Sequence, residues 1–76
     1  MLSQYVIDTI WKMARGTHSA YRKTNPTIET FRMDLIYQLD FMGIPTSEEE
    51  TFAAIEYVTA HIGALYAIAM RGTDND

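Results

Sequence analysis

The sequence predicts an all-α fold: a compact three-helix bundle with a long C-terminal helix at its centre, expected to dimerise, forming one domain over residues 1–76. Three observations carry this expectation. Apolar side chains recur at spacings of three and four, helix start and stop signals separate the stretches that carry them, and no run alternates apolar and polar residues as a half-buried strand does.

The first helix is expected over about residues 3–15, beginning after Ser3 and ending at Arg15, with Gly16 as a left-handed terminator. At 100° per residue Leu2, Val6, Ile7, Ile10, Trp11, Met13 and Ala14 share one half of the wheel, and Gln4, Asp8, Lys12 and Arg15 the other. Asp8 and Lys12 are spaced for an i,i+4 ion pair.

The connection "GTHSAYRKTN" follows, the longest stretch without periodicity. The second helix is expected over about 26–42, with Asn25 as cap, Pro26 in the first turn, and Gly43 and Pro45 closing it. Ile28, Phe31, Leu35, Leu39 and Met42 form one stripe. Met33, Tyr37 and Phe41 lie on the opposite side, so this helix is apolar on two sides and its second side calls for a partner.

The third helix is expected over about 47–71, leaving 72–76 as a tail with Gly72 as the stop. In "TSEEE", Ser47 and Glu50 have the spacing of a capping box, and three acids sit where the helix dipole favours them. Ile55, Val58, Ile62, Leu65 and Ala69 make a bulky seam. Ala53, Tyr57, Ala60, Ala64 and Ala67 repeat the pattern about 200° away, as a small-residue face that lets another helix approach closely. Gly63 reads as a packing residue.

A chain of 76 residues buries about 60% of its unfolded surface, so its core must be dense or shared. No cysteine is present to form a disulfide, a thiolate nucleophile or a zinc-finger site. With no positively charged leader at the N-terminus, a cytoplasmic location is expected. Phe52 to Met70 is long enough to cross a bilayer, but Glu56 within it would cost about 2.5 kcal/mol or more there, so a membrane location is not expected.

The net charge of −4 disfavours a general nucleic-acid binder. The charge is uneven, with Lys12, Arg15, Arg22, Lys23 and Arg32 clustered in the first half and most acids in the second. Lys12, Arg15, Tyr21, Arg22 and Lys23 are the candidates for contact with phosphate or an acidic surface. A small dimeric regulator placing loop 18–23 on nucleic acid is the alternative function. A helix-turn-helix would need a tighter turn than the gap after the first helix.

Catalysis is not expected, because there is no nucleophile elbow, phosphate loop or set of paired carboxylates. Glu56 and His61 are about 140° apart around a helix, and His18 and His61 alone make a weak metal signal, so no cofactor or metal is expected. Binding of another protein remains, as an inhibitor, adaptor or regulatory subunit. That class includes inhibitors that phages and mobile elements direct at host machines such as defence complexes. The expected anchors, for a homodimer or a different protein, are Arg32, Met33, Tyr37, Phe41, Tyr57 and Tyr66, with Ala53, Ala60, Ala64 and Ala67 as the close-packing face.

Overall fold

Among the described residues, which are 2–17, 23–44 and 47–71 of the computed structural model, four helices rather than three follow one another, and residues 23 and 24 are helical as well. The four are α1 (Gln4–Gly16), α2 (Ile28–Phe41), α3 (Glu48–Ala60) and α4 (Ile62–Arg71). No strand occurs among the described residues. Residues 18–22 of the long connection are not among them, so nothing is read from His18, Tyr21 or Arg22; Gly72 and the tail are likewise outside.

The long C-terminal helix is where expectation and structure part. It breaks at His61 (φ −109°, ψ 17°), and its halves are bent by 70°. The physical reason is length. A straight helix of 24 residues would extend about 36 Å, whereas α1 and α2, of 13 and 14 residues, reach only about 20 Å. One end of its apolar seam would overhang the bundle. Bending at His61, just before the weak helix former Gly63, lets α3 lie along α2 while α4 packs most extensively on α1.

Each helix delivers residues four apart to a common core: Val6, Ile10 and Ala14 from α1; Phe31, Leu35 and Leu39 from α2; Ala54 and Val58 from α3; Leu65 and Ala69 from α4. Phe31, Ile10, Leu35, Leu65 and Val58 are its largest fully buried members, each stabilising the fold by about 1.5–3 kcal/mol. The stripes expected on the first two helices supply their share, except that Ile28, which opens α2, and Met42, its C-cap, are exposed, and Ile7 lies with Asp8, Lys12 and Arg15 on the outer side of α1. Ala54, which belongs to neither expected seam of the third helix, is buried.

The caps differ in part from the expected ones. Ser3 Oγ accepts from Val6 N–H and Ser47 Oγ from Glu50 N–H, both as the sequence implies. In "TNPT", however, Thr27 rather than Asn25 caps α2, its Oγ1 accepting from Thr30 N–H at 3.1 Å. Asn25, preceding a proline that disfavours the right-handed helical region, has φ 48°. Gly16 is the last residue of α1, not a left-handed stop, and Thr17 caps it. The Asp8–Lys12 pair is replaced by a 3.0 Å hydrogen bond from Gln4 Nε2 to Asp8 Oδ1. A Cβ on Gly63 would meet nothing within 4 Å, so that glycine is not a packing residue.

Candidate interaction surface

The surface is built on the side of α2 opposite its core residues. Phe31, Leu35 and Leu39 are buried, while Met33, Tyr37 and Phe41 are 56%, 71% and 82% exposed. The connection after α2 sets where this side lies. Ile44 N–H donates to Leu39 O and Gly43 N–H to Asp40 O, the two bonds of a Schellman turn, with Gly43 at φ 75° as the left-handed residue. Ile44 then packs against the core, and Ser47 starts α3 back beside α2.

Between α2 and α3 lies a groove of about 280 Å³ lined by Met33, Ile36, Tyr37 and Asp40 of α2 and Thr51 and Ile55 of α3, with Leu39 and Ala54 at its floor. Phe41, one turn beyond Tyr37, and Phe52, one turn before Ile55, are exposed nearby without being among its lining residues. Phe52 is 69% exposed and shares a shallow depression with Glu48 and Glu49. The three exposed rings present on the order of 300–550 Å² of aromatic surface, the size of the largest apolar patch on a typical monomer.

The other expected anchors are partly committed within the chain. Tyr57, half-buried, accepts a 2.8 Å hydrogen bond at its hydroxyl from Trp11 Nε1 and stacks on His61 with ring centroids 4.1 Å apart. Trp11 meets the His61 ring edge-on at 6.4 Å, so the α3–α4 break is clasped to α1 by an aromatic trio. His61 Nδ1 lies 3.0 Å from Tyr57 O, the neighbour bond of a helix-flank histidine. Tyr66 is half-buried, its hydroxyl donating to Pro26 O at 2.7 Å and its ring tilted against Phe31. Arg32 pairs with Glu29 at 3.2 Å.

The small-residue face is not one surface. Ala53 and Ala60 lie on α3, and Ala64 and Ala67 on α4, across the 70° bend, so no straight helix can run along all four. Ala60, Ala64 and Ala67 are exposed and Ala53 is half-buried. Of the basic candidates, Lys12, Arg15 and Lys23 are exposed; Lys12 and Arg15 flank Gln4 and Asp8 on α1, apart from the α2–α3 groove.

Among the described residues no group of three or more His, Asp or Glu is placed to hold a metal ion. No single helix among them is long and apolar enough to cross a membrane. No protein-family model matches the chain, and no curated protein or solved structure is significantly similar to it.

Two features of the surface escape a reading by helical wheel. Phe52 follows the acidic run and is offset from the core side of α3, which centres on Ala54 and Val58; the position of Ala54, four residues before Val58, is the signal that would have revealed this. The groove depends on how far apart α2 and α3 sit, which no periodicity encodes.

Proposed function

We propose that this protein acts by binding another protein through the face that α2 and α3 form around Met33, Tyr37 and Phe41, as an inhibitor, adaptor or regulatory subunit. One observation carries the reading: large apolar side chains, well exposed, flank a groove on a chain whose core is already filled from the other sides of the same helices. Folding gives no reason to hold Tyr37 and Phe41 in water. Aromatic and methionine side chains around a concave surface are what protein interfaces use as anchors. Arg32, adjoining Met33 in the chain and already held by Glu29, supplies a rim cation.

The test places a photo-reactive phenylalanine analogue at position 37, or at Gln4 on the outer side of α1, in the cells that make the protein. Cross-linking to a protein from position 37 and not from position 4 is the expected result. Equal cross-linking from both positions, or none from 37, defeats the proposal.

A further inference from the structure

Asp40 occupies an adverse position. It stands in the last turn of α2, where the carbonyl end of the helix dipole disfavours negative charge, and that turn has no basic residue to offset it. Its side chain is exposed, makes no hydrogen bond or ion pair with any described residue, and lines the α2–α3 groove. Across the groove, Glu48 lies one turn before Thr51, beside Glu49 and the exposed Phe52. The two glutamates are suited to a helix start; Asp40 is not suited to a helix end.

This rim also bears on which partner fits. A two-fold contact through this face would need the patch to complement itself; its lining residues include Asp40 and no cation, and the rim cation Arg32 is already paired with Glu29, which leaves the acids without an opposite charge from a second copy. Among the described residues, the exposed cations Lys12, Arg15, Lys23 and Arg71 are not among the groove's lining residues. Apolar walls with an acidic rim instead match a helix that carries an apolar stripe flanked by lysine or arginine.

We propose that the α2–α3 groove receives a basic amphipathic helix of a different protein, its apolar stripe seated among Met33, Tyr37 and Ile55 and its cations set against Asp40 and Glu48. The inference rests on the protein-binding role of this face and names the partner's chemistry. Asp40 is then a residue that opposes folding slightly and serves binding.

The probe is a synthetic helical peptide with leucines at i, i+3, i+4 and i+7 and lysines on its other side, titrated into the 15N-labelled protein at low salt. A matched peptide carries glutamate for lysine. The lysine peptide should shift the amides of Met33, Tyr37, Asp40, Thr51 and Ile55, and the glutamate peptide should bind at least about tenfold more weakly, as expected where like charges meet. Tyr37→Ser should weaken the lysine peptide about tenfold or more, as an anchor loss does.

Asp40→Asn gives the decisive pair of readings: weaker binding of the lysine peptide together with an unchanged or higher denaturation midpoint, the opposite signs of a stability–function trade-off. A merely structural Asp40 would not weaken binding. Equal affinity for both peptides, shifts confined to α1 and α4, or undiminished binding by Asp40→Asn overturns the inference. So does a second copy of this chain cross-linked from position 37, an outcome that leaves the face a protein interface with a different occupant. Failure of all cross-linking at that position removes the broader reading as well.

Discussion

The two sides of α2 should respond oppositely to truncation. Phe31→Ala removes a fully buried ring that packs against Tyr66, and such changes cost about 3–5 kcal/mol. At about 0.05–0.15 kcal/mol per residue, a chain of 76 residues has about 4–11 kcal/mol of stability in all, so this one substitution removes about a quarter of it at the least. Tyr37→Ser lies nearly two turns away on the exposed side, where substitutions stay within about 0.5 kcal/mol. The assay is urea denaturation followed by far-ultraviolet circular dichroism at two protein concentrations. Phe31→Ala should unfold at a lower urea midpoint, with about 3–5 kcal/mol less stability, and Tyr37→Ser should keep the wild-type midpoint and slope. A loss of about 2 kcal/mol in Tyr37→Ser, in the range set by buried side chains, would refute the assignment of this side to solvent in the free protein.

Other substitutions probe the joints between helices. Tyr57→Phe leaves Trp11 Nε1 without its 2.8 Å partner and should cost about 1–3 kcal/mol, read as a lower denaturation midpoint with altered Trp11 fluorescence. Gly63→Ala should raise stability by up to about 1 kcal/mol, because a methyl group there meets nothing and alanine favours helix. Gly43→Ala should lower it by about 1–2 kcal/mol, since φ is 75° at that turn; thermal melts of both glycine variants test the opposite signs. Ala60→Leu, which close packing along a continuous small-residue face would make costly, should change the unfolding free energy by less than about 0.5 kcal/mol, because Ala60 is exposed in the chain.

How far these features can be read from the chain depends on how local their causes are. The buried sides of α1 and α2 follow from periodicity alone, and the exposed line of Met33, Tyr37 and Phe41 follows from what that periodicity leaves over. Ser3 and Ser47 cap as their spacing implies, but "TNPT" offers two capping residues, and the choice of Thr27 depends on how Asn25 turns before the proline. The break at His61 has a cause outside the segment. Histidine and glycine inside an apolar run cost a helix about 1 kcal/mol or less each, too little to predict a bend. What decides the bend is the length of α1 and α2, which cannot cover a straight helix of 24 residues. The clasp of Trp11, Tyr57 and His61 joins residues 46 apart in sequence and has no local signature. The same holds for the groove beside Asp40, whose walls come from two helices, although its adverse place near the end of α2 is visible once that end is known.

The central claim is that the α2–α3 face stands open in the free protein, ready for a different partner. Sedimentation equilibrium across a dilution series, on the wild type and on Phe41→Ser, tests it most directly. The account predicts a single 8.7 kDa species at every concentration for both proteins. A wild-type dimer that persists on dilution and that Phe41→Ser dissociates would contradict it, and would assign the face to a second copy of the chain.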